Sequence, residues 1–355
     1  MTPSPLRAAL RWLHGRAAAL AAPFSVLSAA PLAVPLGAPF AAALAAALPA
    51  FAALAAPGNA SAAALRYCDR PAEASPAAQD RLLRVGALIK AELEASGRSV
   101  ALIARSGLDL SRIGVRYSHA GVSLRASPNT PWSVRQLYYA CDEQRPRLFD
   151  QGLAGFLLGV DDPALGYISM VILPEAESAA LERTALDRAA ALSLLGGHYS
   201  ANAHPQSLRY QNCNQWLVEL LALARGATPG APDPTAAGAE AHAPGAGARP
   251  AAQRWLQQHG YEGSPITLRN PLLWLAPAVV PWLHTDDHPP DELQRGIMRV
   301  SLPASIEAWL RDTVPGARRI ELCHTERAVV IRRGWAPLAD GCRAEAGDTV
   351  IGFDA

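Results

Sequence analysis

Lysine is almost absent from this 355-residue sequence: Lys90 is the only one among 32 basic residues. The formal net charge is +1, and the arginines form no cluster interleaved with aromatic residues. Nucleic-acid-binding proteins need such a basic surface. The composition therefore excludes nucleic acid as a partner. The abundance of Ala, Arg, Pro and Gly is typical of GC-rich coding sequence and carries no functional argument.

The stretch from residue 17 to residue 65 has no ionisable side chain, and three arginines, Arg7, Arg11 and Arg16, precede it. A positive start, an apolar middle and small residues at 60–62 predict an export leader over residues 1–62, cleaved to release a periplasmic or secreted protein. The alternative is a retained membrane anchor, which the prolines at positions 23, 31, 35, 39 and 49 disfavour. In either case, membrane contact is expected only through this segment.

The five cysteines fit export to an oxidising compartment. Cys68 and Cys141 flank the first folded region, and Cys323 and Cys342 lie close together near the end. This pattern favours two disulfides, Cys68 with Cys141 and Cys323 with Cys342, although sequence alone does not fix connectivity. Cys213 stands alone in the middle of the chain. It is therefore the one cysteine outside the two expected disulfides.

Hydrophobic periodicity predicts an α+β fold. Apolar residues at helical spacing predict a helix over 76–96 and another over 175–196, and four short runs between them have strand character and predict a mostly antiparallel sheet. The folded region is expected to span 63–226. Residues 227–252, rich in Ala, Pro and Gly, are predicted to be a linker or insertion, followed by helices and short strands over 253–355. Whether this last part is a separate domain stays open.

Cys213 opens a predicted helix. Asn212 is a suitable N-cap, and Gln215 is placed as in a capping box, which puts Cys213 at the first helical position. The helix macrodipole and unpaired N–H groups there favour a thiolate and can accept an oxyanion. A single cysteine at a helix start is more often a small buried residue. The rest of the sequence has to decide between the two.

Two upstream strands offer partners for a nucleophile. Period two places His119 on one strand face with Val115, Tyr117 and Gly121. On the next strand Gln136 is the one strongly polar member of its face. We predict His119 as the base and Gln136 as the amide that holds the imidazole in one tautomer. Each residue alone has a structural explanation, and the combination favours chemistry.

The segments "SHAGV" and "YQNCNQW" resemble the circularly permuted branch of the papain-like NlpC peptidase superfamily, in which the histidine strand precedes the cysteine helix. That branch includes lecithin retinol acyltransferase and the PPPDE deubiquitinating peptidases. The resemblance implies a papain-like domain whose antiparallel sheet packs on the cysteine-bearing helix, extended here at the C-terminus. It also implies Cys213 as nucleophile, His119 as base and Gln136 as third polar residue. The resemblance covers only about residues 115–226.

Nearly the whole chain after residue 66 resembles an uncharacterised family of exported bacterial proteins, the domain of unknown function 2145 family. The segments "RYSHAGV", "QLYYACDEQRP" and "YQNCNQWL" carry this similarity. The family name implies no activity.

We therefore expect an exported cysteine-dependent hydrolase or acyltransferase that acts on an amide or ester bond in the cell envelope: a peptide, peptidoglycan or a lipid. It would need no metal or organic cofactor. The alternatives are a non-catalytic periplasmic binding or assembly protein and a membrane-anchored structural protein. The loop 284–292, "HTDDHPPDE", contains potential metal ligands, but it is predicted to be a solvated acidic loop. His198, Tyr199, Asn202 and His204 either line the cleft or support neighbouring strands.

Overall fold

A computed structural model describes residues 74–353, except 109, 142, 160–161, 230–246 and 269–273. The predicted leader and Cys68 lie outside the described residues. Among the residues that are described, no helix is long and apolar enough to cross a membrane.

Ten described strands form two sheets. They are β1 (Val100–Arg105), β2 (His119–Leu124), β3 (Ser133–Ala140), β4 (Arg145–Gln151), β5 (Gly166–Ile172), β6 (Ser264–Thr267), β7 (Ile297–Val300), β8 (Arg318–His324), β9 (Ala328–Arg333) and β10 (Thr349–Gly352). The large sheet has the order β10-β9-β8-β5-β1-β2-β3-β4, and β6 pairs with β7. Every strand pair is antiparallel, as predicted.

The described helices are α1 (Pro76–Ala95), α2 (Leu153–Leu158), α3 (Glu175–Leu186), α4 (Arg188–Ser193), α5 (Cys213–Ala224), α6 (Ala248–Gln258), α7 (Ala276–Val279), α8 (Pro290–Gln294) and α9 (Pro303–Thr313). The fold is thus α+β.

Helices cover both faces of the large sheet. Leu102 and Ala104 of β1 pack in one core cluster with α3, α5, α6 and α9, whereas Ala101 and Ile103 pack in a second cluster with α1 and α2. Successive strand residues point to opposite faces, so this division follows from the alternation. All six residues of β1 are buried, as expected for a strand covered on both sides.

The chain beyond residue 252 completes the same sheet. β8 lies against β5 near the middle of the sheet, with Cys323 opposite Tyr167. Strands from both sides of the 227–252 segment therefore share one sheet. The described residues belong to a single compact unit, Gly58–Ala355.

The disulfide between Cys323 and Cys342 is confirmed. Cys141 is also disulfide-bonded. Its expected pairing with Cys68 falls outside the described residues.

The structure differs in two places from the elements that periodicity predicts. β4 was not predicted, because its sequence, RPRLFDQ, has little apolar alternation; among the described strands it lies at an edge and pairs only with β3. The helix predicted over 175–196 is two helices, α3 and α4, and breaks at Asp187. The Asp187 side chain accepts hydrogen bonds from the backbone N–H groups of Ala189 and Ala190, which starts a new helix.

Candidate active site

The start of α5 lies beside the start of β2. Asn212 caps α5, with its side chain accepting a 2.7 Å hydrogen bond from the Gln215 N–H, and Cys213 is the first helical residue. Cys213 Sγ lies 4.0 Å from the carbonyl oxygen of Ser118, the residue before His119. Asn214 Nδ2 donates to the same oxygen at 3.3 Å. Two side chains of the first helical turn thus contact the entrance to β2.

The expected capping box is only half formed. Asn212 caps as predicted, but the Gln215 side chain does not return to the Asn212 backbone. Its Nε2 instead donates to the carbonyl oxygens of His204, Pro205 and Ser207, at 3.4, 3.2 and 2.9 Å respectively. Gln215 therefore fixes the loop that precedes the helix.

His119 and Gln136 are in direct contact. His119 Nε2 lies 2.6 Å from Gln136 Oε1, and Gln136 Nε2 donates to Gln151 Oε1 at 2.7 Å. The amide oxygen can only accept, so Nε2 carries the proton and the lone pair of the neutral imidazole lies on Nδ1. A base with its lone pair on Nδ1 can accept a proton from a nucleophile on that side.

Gly121 permits this contact. A Cβ at Gly121 would lie 2.6 Å from Val134 Cγ1, 2.7 Å from the Arg135 carbonyl oxygen and 3.0 Å from Gln136 Cβ. The first two distances are shorter than those that real Cβ atoms show, so only glycine lets β2 and β3 approach this closely beside Gln136.

The face assignment for β2 is correct only from His119 onward. β2 begins at His119. Tyr117 packs in the same core cluster as Ala120 and Cys213, which ends the simple alternation before His119. Tyr117 instead donates a hydrogen bond to the buried carboxylate of Glu321. Desolvation and the Glu321 charge raise the pKa of Tyr117 well above its usual value.

Aromatic and cationic side chains surround His119. Its ring lies 4.7 Å from Tyr138 and 6.1 Å from Phe156 of α2, between centroids. Arg105, opposite His119 in the ladder, donates to Tyr138 Oη at 2.6 Å and also to the Gly159 carbonyl. Tyr138 lies two residues after Gln136, so the alternation of β3 places both on one face. Arg105 was not predicted, because it ends an otherwise apolar strand and matches no motif.

A buried charge was also missed. α5 is buried on all sides from Cys213 to Ala222, including Glu219. Glu219 forms an ion pair with Arg249 of α6 at 3.0 Å. Burial raises the pKa of Glu219, and the Arg249 guanidinium opposes that rise. The signal was present: one glutamate interrupts the apolar run WLVELLALA.

The loop before α5 packs on the acidic loop. Asn202 accepts from the His284 N–H at 3.0 Å and donates to the His284 carbonyl. His288 Nε2 lies 2.8 Å from the Asn202 carbonyl. Asp287 accepts from the His204 N–H at 3.0 Å. Asp287 and His288 are buried, so the prediction of a solvated loop was wrong for this part of it.

Burial in the contact between these two loops disfavours the protonated form of His204. It lowers the pKa of His204, and the neighbouring His288 lowers it further.

Among the described residues, no group of three or more His, Cys, Asp or Glu side chains could hold a metal ion.

A family model described as "Uncharacterized protein conserved in bacteria (DUF2145)" matches residues 92–310, more than half of the chain. The protein belongs to this bacterial family. The match runs from the last turn of α1 into α9 and includes His119, Gln136 and Cys213. The DUF2145 match ends before β8, although β8 to β10 complete the sheet. No curated protein and no solved structure matches the chain.

Proposed function

We propose that this DUF2145 protein is a cysteine-dependent hydrolase or acyltransferase that acts on an amide or ester bond. Cys213 is the nucleophile, His119 the base and Gln136 the residue that orients the imidazole. The Ser118 carbonyl oxygen, just before β2, lies 4.0 Å from Cys213 Sγ. The supporting observation at this strand start is the 2.6 Å contact between His119 Nε2 and Gln136 Oε1. It fixes the tautomer that a base needs.

The proposed reaction has two stages. His119 Nδ1 takes the Cys213 proton, and the thiolate forms a bond to the substrate carbonyl carbon. Backbone N–H groups at the start of α5, other than the Gln215 N–H that Asn212 caps, bind the oxyanion. The intermediate collapses, the bond to the leaving group breaks, and the leaving group takes the proton from His119. Water or another acceptor then attacks the thioester carbon and gives its proton to His119; the C–S bond breaks, the acyl product leaves, and the Cys213 sulfur takes the proton back from His119. These steps use no metal or organic cofactor.

The chain order supports a permuted papain-like fold. The histidine strand β2 comes first, the strand with the polar residue, β3, follows, and the cysteine helix α5 comes last. α5 packs against β2 and β3 of an antiparallel sheet. This order and packing are what the NlpC resemblance implies.

The proposed setting is the cell envelope. The leader-like residues 1–62 support export to the periplasm or beyond, with membrane contact only through that segment. A peptide, peptidoglycan or lipid in the envelope then offers the amide or ester carbonyl.

The test is the pH dependence of Cys213 alkylation by iodoacetamide in the oxidised, full-length protein, followed by peptide mass spectrometry. The proposal expects rapid labelling at neutral pH and a loss of about tenfold or more in His119→Ala. His259→Ala is the matched control, because His259 is exposed and is the residue that follows α6. Equal labelling rates for wild type and His119→Ala would contradict the pairing.

One observation favours a second candidate, a non-catalytic binding or assembly protein on the same scaffold. Cys213 is only 6% exposed and belongs to the core cluster beneath the sheet, as a packing residue would. Full complementation of a deletion strain by Cys213→Ala would favour this candidate over the enzyme.

A further inference from the structure

Glu219 is the centre of a buried polar network on α5. Its side chain is fully buried, and it accepts hydrogen bonds from Arg249, from Gln253 Nε2 at 2.6 Å and from Gln211 Nε2 at 2.5 Å. A buried ion pair is weak evidence for stability, because an apolar pair of similar volume often stabilises a protein as well or better. The network therefore invites an explanation other than stability.

The remaining Arg249 donors provide one. Arg249 Nη1 donates to the Leu208 carbonyl at 3.1 Å, and Nη2 donates to the Ser207 and Tyr210 carbonyls at 2.9 and 3.1 Å. Three of the four carbonyls from Ser207 to Tyr210 thus bind one guanidinium. The planar fork of arginine can serve several acceptors in a fixed geometry, which a lysine ammonium cannot reproduce.

Gln211, the residue before the N-cap Asn212, adds further hydrogen bonds to this network. Its Oε1 accepts from the Gly196 N–H at 2.7 Å, and its Nε2 donates to the Leu194 carbonyl and to Glu219. The backbone from Ser207 to Gln211 is therefore tied to α5 itself, through Glu219, and to α6. The path of this segment sets where α5 begins.

We propose that Arg249 is a positioning residue for Cys213. Through Glu219 and the three carbonyls, it holds residues 207–211 against α5, so that Cys213 Sγ and the first-turn N–H groups keep the geometry that attack on a carbonyl requires. This inference rests on the proposed function. It also assigns a role to the end of the Ala/Pro/Gly-rich segment predicted over 227–252: α6 already begins at Ala248 and supplies the arginine that shapes the start of α5.

The test compares four full-length variants. Arg249→Lys keeps the positive charge beside Glu219 but loses the fork. Gln253→Met removes one hydrogen bond to Glu219 and none to the 207–211 segment, so it is the matched control within the network. Arg332→Lys is the control for a lost arginine fork elsewhere, since Arg332 binds Asp348 and Glu345. Glu219→Gln is a milder second variant, for use where Arg249→Lys does not fold.

Two measurements are made on each variant: the rate of Cys213 alkylation against pH, and hydrogen exchange of the peptide covering 207–216. Arg249→Lys should slow alkylation at pH 6 about tenfold, because small displacements of reacting groups have effects of that size. It should also speed exchange in 207–216. Glu219→Gln should shift both in the same direction by less, and the two controls should match wild type.

Wild-type exchange and alkylation in Arg249→Lys and Glu219→Gln would overturn the positioning role. Equal slowing in Arg332→Lys would overturn it too, because the effect would then be general destabilisation. A wild-type protein whose Cys213 alkylates like an ordinary thiol, with its midpoint near pH 8.5, would contradict the proposed function itself and the positioning role with it.

Discussion

His119 Nε2 donates a 2.6 Å hydrogen bond to Gln136 Oε1, across two neighbouring strands and seventeen residues of sequence. Both side chains are buried. A buried imidazole in such a contact has one tautomer and one orientation, and its Nδ1 lone pair is directed away from Gln136. The predicted contact between amide and imidazole is therefore present, and the catalytic role of the pair stays a prediction.

The tautomer can be observed directly. Gln136→Leu removes the acceptor for Nε2–H and leaves Gln151 without its partner, so we expect a mixture of His119 tautomers and a loss of about 1–3 kcal/mol in the free energy of unfolding. ¹⁵N NMR of the histidine ring and urea titration measure the two effects. Gln79→Leu, on the exposed start of α1, should leave both unchanged. A single Nε2–H tautomer in Gln136→Leu would show that Gln136 does not set it.

Gly121→Ala should disturb the same pair without changing either member. The new methyl group would overlap Val134 and the Arg135 carbonyl, so β2 and β3 must separate; we expect a destabilisation of about 1–3 kcal/mol. Gly352→Ala in β10 is the control, because its Cβ would meet no atom within 4 Å. The measurement is the urea midpoint of each variant. Equal midpoints for the two alanine variants would contradict the close approach of β2 and β3.

The Cys323–Cys342 disulfide closes a short loop, with a sequence separation of 19. Replacing both cysteines by alanine should lower the free energy of unfolding by about 3 kcal/mol, because the unfolded chain gains conformational entropy. Urea unfolding of the wild type and of the double variant measures the change in the free energy of unfolding. An unchanged midpoint would mean that the cross-link adds nothing to stability.

His324 should make stability depend on acidity. Burial, with a smaller contribution from Arg81, lowers the pKa of His324 to about 4, against an ordinary value of 6.5. Between pH 6.5 and 4 the unfolded chain binds a proton that the folded chain does not. Stability should therefore fall as the pH falls through this window, by up to about 3 kcal/mol.

His324→Gln removes this titration and should flatten the stability profile between pH 6.5 and 4. His259→Gln, at an exposed position, should keep the wild-type slope. Urea unfolding at several pH values provides the comparison. Parallel profiles for wild type and His324→Gln would contradict the assignment, and His204, whose pKa is also lowered, would then be the next candidate.

Local rules predicted much of this molecule. The spacing of Leu82, Val85, Ile89 and Leu93 correctly predicted α1, and Asn212 correctly predicted the start of α5. Both depend on interactions within a few residues. The alternation in β3 likewise placed Gln136 and Tyr138 on one face, because side-chain direction in a strand follows from the backbone alone.

Contacts between distant residues could not be predicted in this way. The Glu219–Arg249 pair joins residues separated by the 227–247 segment, and no periodicity indicates which arginine a buried glutamate will find. The placement of β8 beside β5 is a choice among sheet orders that strand patterns do not distinguish. Burial of Asp287 depends on the loop at 202–204, which acidic composition does not reveal.

The measurement that tests the central claim most directly is the mass of the peptide containing Cys213 after incubation with an activated acyl ester. The account predicts a thioester on Cys213 that hydroxylamine removes, formed at least about a hundredfold more slowly in His119→Ala and absent in Cys213→Ser. Absence of the adduct in the wild-type protein, or its formation at the same rate in His119→Ala, would contradict the account.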